Sequence, residues 1–357
     1  MTVGREQREK REDALTAKRK GEHIRICLEE RVEGEGVTTG FEKYRFVHNA
    51  LPELDFESIR TETRFLDKPL RVPLLVSSMT GGTAAAASIN RRLAEAAEAR
   101  GWAIALGSMR AAIEREELAA TFRVRKEAPN APIIANLGAV QLNCGYGADE
   151  CRRAVELAEA DALVLHLNGM QELFQPEGDT NFGGLLRRIA EVCRTAGVPV
   201  GVKEVGFGFD ADTAAALHEA GVAFLDVAGA GGTSWIQVEK FRSADGLRRK
   251  AAEAFADWGL PTSDCVKEVR DRLPDAYIIA SGGLHDGVEA AKAIALGADL
   301  AGFGRTLLRN AASSDGTEPL EEQFERIEFE LRATMFGIGA STIEQLRTTN
   351  RLRRLPT

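Results

Sequence analysis

The stretch DALVLHLNGMQELFQPEGDTNFGGLLRRIAEVCRTAGVPVGVKE, from Asp161 to Glu204, carries in one unit the pattern that decides the fold. DALVLHLN is apolar until it ends in a histidine and an asparagine, so it reads as a strand buried on both faces. GGLLRRIAEVCRTAG has the spacing of an amphipathic helix. VPVGVKE then opens a second buried strand. Strand, helix, strand in that order predicts a parallel pair joined by a crossover helix. Between the first strand and its helix sit His166, Asn168, Gln171 and Glu172, a dense polar group at the mouth of a core strand.

The same beat recurs on both sides. VPLLVSS from Val72, WAIALGS from Trp102 and APIIANLG from Ala131 precede it; VAFLDVAG from Val222, AYIIASGG from Ala276 and DLAGFGR from Asp299 follow. Alanine-rich helical patterns such as ASINRRLAEAAEARG, CRRAVELAEA, DTAAALHEAG and DGVEAAKAIALGA fill nearly every gap. Eight such units over roughly 250 residues predict an α/β fold with a single (β/α)8 TIM barrel. An open doubly wound sheet is the rival. It would usually carry GxGxxG after the first strand, where this chain reads SSMTGGT.

The boundaries follow from the beat. Residues 1–70 are an N-terminal extension expected to pack over the barrel mouth, 71–345 the barrel, and 346–357 a C-terminal tail. The gap from 230 to 275 is the outlier and predicts a long loop after strand six with a helix or two over the mouth. EEQFERIEFELRATMFGIGA reads as a closing helix.

The chain has 357 residues, 44% apolar and 28% charged, the balance of a soluble globular protein. A net charge of −8 argues against a general nucleic-acid binder. Five scattered cysteines without a CxxC pair suit free thiols in a reducing compartment. The charged start MTVGREQREKREDALTAKRKGE is no secretory signal, and no run of about 18 apolar residues occurs. A cytoplasmic protein is expected.

In such barrels the active site lies at the carboxyl ends of the strands. Reading those ends in order gives Ser78, Met79 and Thr80, then Ser108 and Arg110, Asn136, the group at His166–Glu172, Lys203 and Glu204, Thr233, Gly282 and Gly283, and Gly304 and Arg305. Glycines after strands seven and eight, with helices following, predict a phosphate cradle; turns alone would also use glycine. Lys203 in its apolar run predicts a cation pointing into the mouth, facing an electron-rich cofactor ring. His166 could equally be a satisfied core histidine, Glu172 a carboxylate at a helix start, and KRKGEH a solvated tail.

Taken together, MTGG, GSxR, ANLG, HLNxxQE, VKExGxG, DVAGAGGTSW and SGG, with RKxxH in the extension, resemble type 2 isopentenyl-diphosphate isomerase, the FMN-dependent form. The resemblance runs from about residue 19 to 345. It implies a barrel enzyme that uses reduced FMN, Mg2+ and NADPH as reductant to interconvert isopentenyl and dimethylallyl diphosphate without net redox change, assembled as a tetramer or octamer. It implies that Glu172 holds Mg2+. Arg19, Lys20, His23, Ser108, Arg110, His166, Asn168 and Gln171 would bind substrate. FMN would lie on Ser78, Met79, Thr80, Ser108, Asn136, Lys203 and Thr233, its phosphate on Gly282, Gly283, Gly304 and Arg305. No pair of side chains looks suited both to give and to take the proton. Acid–base work then falls to the flavin, with Gln171 and His166 as the side chains that would otherwise carry it.

The chain departs from the family pattern twice. His285 in SGGLHDG and GRTLL from Gly304 stand where many relatives have arginine and ARPxL. Other FMN barrels are a poorer match. The hydroxy-acid oxidases carry a histidine base in an HGGR loop where this chain has AGAGGTSW, and IMP dehydrogenase needs a cysteine soon after its glycine loop, whereas the next one here is Cys265. A scaffold or flavin-storage barrel would have little use for both RKxxH and QE.

Overall fold

The computed structural model describes residues 18–312 and 319–356. The leading charged stretch 1–17 lies outside the described residues. Eight parallel strands close into a barrel: β1 (Leu74–Val76), β2 (Ala103–Ala105), β3 (Ile133–Gly138), β4 (Ala162–His166), β5 (Val200–Lys203), β6 (Phe224–Asp226), β7 (Ile278–Ala280) and β8 (Leu300–Phe303), which returns to β1. The (β/α)8 expectation holds.

Strand alternation sorts the apolar residues into two cores. Leu74 and Val76 face outward to the helical ring, whereas Leu75 faces inward with Ala103, Ile134, Val164, Phe224, Ile279 and Leu300. The inner core also contains Phe65, from an antiparallel hairpin of Thr63–Phe65 and Lys68–Leu70. Its ring meets Phe224 edge-on at 5.2 Å. Sequence patterning alone does not reveal this plug, because the hairpin is short and carries one decisive aromatic.

The extension therefore does more than cover the mouth. A helix through residues 18–29 lies there, the hairpin packs with the inner core, and Tyr44–Phe46 pairs with Leu352–Arg354 of the tail. Two ring helices, for example, begin on side-chain caps: Thr83 accepts from Ala86 N ahead of Ala84–Arg100, and Asp286 from Glu289 N ahead of Gly287–Ala295. Between β2 and β3 stand only the short helices Arg110–Glu114 and Glu116–Thr121. After β6 come three helices, Trp235–Arg242, Gly246–Glu253 and Thr262–Arg272. The predicted closing helix runs from Leu320 to Ile338.

Candidate active site

Parallel register brings the strand ends level. Gly138 pairs with His166, His166 with Lys203, and Lys203 with Asp226. Above them opens a cavity of about 440 Å³, lined by every substrate, cofactor and metal residue expected from the sequence, from Arg19 and Lys20 through Glu172 to Arg305. That volume lies within the roughly 300–1,000 Å³ of cofactor and small-molecule sites.

The polar groups hold one another in defined orientations. Asn136 donates its amide to the Leu106 carbonyl at 3.0 Å, which turns its oxygen to His166, so His166 Nδ1–H donates to it at 2.8 Å. His166 Nε2 is left as an acceptor. Burial, reinforced by Lys203 and Lys20, pushes the imidazole down to about 3 and keeps it neutral. Lys203 is also lowered by burial, opposed by Asp226 and Glu204, and its Nζ donates to the Glu204 carbonyl at 2.6 Å. Glu204 accepts from the amides of Val205, Gly206 and Phe207, yet burial still lifts its carboxyl to about 7.

Glu172 stands in the first turn of the helix Gly169–Phe174. Its two oxygens accept from Asn168 Nδ2 and Asp179 N, each at 2.8 Å. Burial raises its carboxyl despite those donors. Gln171 Nε2 reaches Glu239 at 3.4 Å, and His23 Nε2 reaches the same carboxylate at 2.9 Å. Burial lowers His23, so a neutral imidazole donates there; Glu239, although buried, is held low by His23 and Arg242. One carboxylate thus ties the extension to the segment after β4. The His23 and Trp235 rings meet edge-on at 5.0 Å.

Several partners escaped the sequence reading. Glu177 pairs with Arg19 at 3.8 Å and also with Arg242; Asp179 accepts from Arg110 at 3.3 Å. Their signal was the acidic QPEGDT just after QE. Asp226 was visible as an acid inside an apolar strand, and it accepts from Ser281 Oγ at 2.6 Å. Glu239 looked like any helical glutamate. Arg305, expected at a phosphate, donates to the Cys27 carbonyl at 2.8 Å and pairs with Glu33. The two departures from the family pattern touch: His285 Nδ1 lies 3.3 Å from Thr306 Oγ1.

The residues present fit FMN. Ser77 Oγ, Ser78 Oγ, Thr80 Oγ1 and Asn168 Oδ1 are buried without a hydrogen-bond partner, although their residues line the cavity. Such atoms cost about 1–3 kcal/mol each unless a ligand satisfies them. Gly282 and Gly283 have φ of +103° and +77°, and a Cβ on Gly282 would sit 2.2 Å from the Gly229 carbonyl. Only glycine lets those loops meet.

Fold and site define the class of FMN-dependent barrels. The sequence pattern described as FMN-dependent dehydrogenase matches residues 165–353. Among solved structures, a mandelate oxidase variant superposes with a TM-score of 0.64 at 18% identity, covering 93% of this chain and 95% of that one. A flavocytochrome b2 variant with sulfite bound gives 0.66 at 16%, covering 93% and 82%; both likenesses concern the fold alone. The isopentenyl-diphosphate delta-isomerase of Oceanobacillus iheyensis is 54% identical over 94% of this chain and 95% of its own length. That of Nostoc sp. is 47% identical over 96% and 98%. The chain belongs to the isopentenyl-diphosphate delta-isomerase family.

Proposed function

We propose that this protein interconverts isopentenyl and dimethylallyl diphosphate, with FMN in its reduced form, Mg2+ on the diphosphate and NADPH as reductant. The observation that carries the reading is the Glu239 carboxylate, which joins His23 of RKxxH to Gln171 of QE across one cavity. A flavin oxidase has no need of that link.

The reaction adds a proton at the terminal alkene carbon and removes a different one two carbons away, so composition and oxidation state are unchanged. When bound, reduced FMN supplies an electron-rich ring and an exchangeable N–H, the acid–base group the cavity otherwise lacks. Gln171 is an amide, and neutral His166 has its Nδ1 proton directed to Asn136. Their work is orientation. Arg19, Lys20 and Arg110 meet the diphosphate, and His23 with Trp235 keeps water out at the extension side. Asn136 and Lys203, both on the cavity wall, would hold the flavin ring.

Glu172 suits Mg2+ as a hard oxygen donor. The other carboxylate on the cavity wall, Glu33, is already paired with Arg305. Among the described residues no cluster of three His, Cys, Asp or Glu could hold a metal unaided. One carboxylate with phosphates and waters is a common Mg2+ shell.

The direct test is turnover of isopentenyl diphosphate by purified protein with FMN, NADPH and Mg2+. Equal activity with oxidised flavin and no reductant would exclude the cofactor part of the reading. Formation of no dimethylallyl diphosphate under any of these conditions would exclude the whole.

A pH dependence follows from Lys20. The residue is part-exposed, but burial of its ammonium, with Arg19 and Arg110 adding, brings it down to about 8. Below pH 8 it carries the charge that an anion needs; above, that charge is lost. Magnesium pyrophosphate binding, measured by calorimetry, is expected to weaken by up to about tenfold per unit above pH 8. In Lys20→Arg this fall-off should be absent, since guanidinium stays charged. Parallel profiles for the two proteins would remove Lys20 from the anion site.

No described helix is long and apolar enough to cross a membrane. A cytoplasmic homo-oligomer, tetramer or octamer, belongs to the same proposal, and exposed Leu173, Phe241, Leu247 and Trp258 offer surface for it. A monomer mass by light scattering at micromolar concentration would overturn that assembly.

A further inference from the structure

The cavity cations do not stand alike. Arg19 pairs with Glu177, Arg110 with Glu114 and Asp179, Lys203 with the Glu204 carbonyl, and Arg305 with Glu33 and the Cys27 carbonyl. Lys20 and Arg309 also line the cavity, and among the described residues neither has a hydrogen-bond or ion-pair partner; of the two, Arg309, exposed at the rim, lies beside the end of β8. Arg309 is one helical turn beyond Arg305 on Arg305–Ala312, and a side chain there leans back toward the helix start. At that start lies Gly304, where an added Cβ would meet nothing nearer than Ser77 Cβ at 3.9 Å. Ser77 itself is 7% exposed, and its hydroxyl has no partner. His285 shares this wall, but its ring leans on Thr306.

Helix N-terminus, open glycine, orphaned buried hydroxyl and unpaired guanidinium thus converge at one end of the cavity. Each suits a phosphate monoester. We infer that Arg309, which nothing in the motif string marks, is the principal side-chain cation for the FMN phosphate, with Ser77 as a second donor. Arg305 instead anchors the extension through Glu33 and Cys27. This rests on the FMN reading above.

The test uses full-length apoprotein titrated with FMN and with riboflavin, which lacks the phosphate, followed by flavin fluorescence. Arg309→Gln is expected to weaken FMN binding roughly 10- to 100-fold, the worth of a charge-assisted contact, and riboflavin binding by less than about twofold. His285→Arg in that background should recover most of the loss by returning a cation to the same wall. Unchanged FMN affinity in Arg309→Gln, or an equal loss for riboflavin, overturns the assignment. Failure of the unmutated protein to bind FMN in the same titration would instead remove the FMN reading itself.

Discussion

Glu172→Gln is expected to lower kcat/KM by about two to three orders of magnitude while FMN stays bound. The carboxylate is the one charged oxygen donor on the wall that is not already paired with a cation. Losing even an outer partner of a metal ligand costs about 10–100-fold, and losing the ligand itself should cost more. The glutamine keeps the shape but can satisfy only one of two donors, since Asn168 Nδ2 and Asp179 N both point at Glu172 oxygens. Local disturbance should therefore be modest and the loss of metal grip large. Kinetics against Mg2+ concentration, with Mn2+ binding followed by electron paramagnetic resonance in the non-turning-over protein, separates the two. An unchanged half-saturation for metal would take Glu172 out of the site.

Lys203→Met should destabilise the protein as well as disable it. Lys203 and Asp226 are register partners on adjacent strands, 7% and 4% exposed. They attract across the strands without a direct salt bridge, and removing the cation strands the other buried charge, which costs about 3–5 kcal/mol in a contact pair and less here. Burial already raises the Asp226 carboxyl, and Lys203 pulls the other way. Without the ammonium it rises further above its unfolded value. A raised carboxyl gives stability that is present below the unfolded pKa and lost as pH climbs through the folded one. The variant's melting deficit relative to the parent should therefore be smaller at pH 5 than at pH 8. Asp226→Asn in the same chain should restore much of the loss at pH 8. A deficit equal at both pH values, with no rescue, would mean that packing rather than charge is at stake.

The parts of the site that lie on strand ends were legible before any coordinates. A barrel brings eight carboxyl ends to one rim, so HLNxxQE, GSMR and the glycine pairs could be placed together from their positions in the beat. RKxxH was harder, since a basic run near a terminus has no fixed address. Its place over the mouth came from resemblance, and its contact to Glu239 came from the structure.

Sequence alone determined the barrel, the order of its strands and the polar side chains at the strand ends, because hydrophobic period and strand-end position are local properties. Tertiary structure decided which of those side chains are already engaged. Glu33, Glu177 and Asp179 come from loops, and Glu239 from the first helix after β6; their positions depend on long-range packing, and they assign partners to Arg305, Arg19, Arg110 and His23. It also decided charge state. His166 and Lys203 are lowered and Glu204 is raised because water is excluded around them, and exclusion of water arises only when distant segments close over the same space.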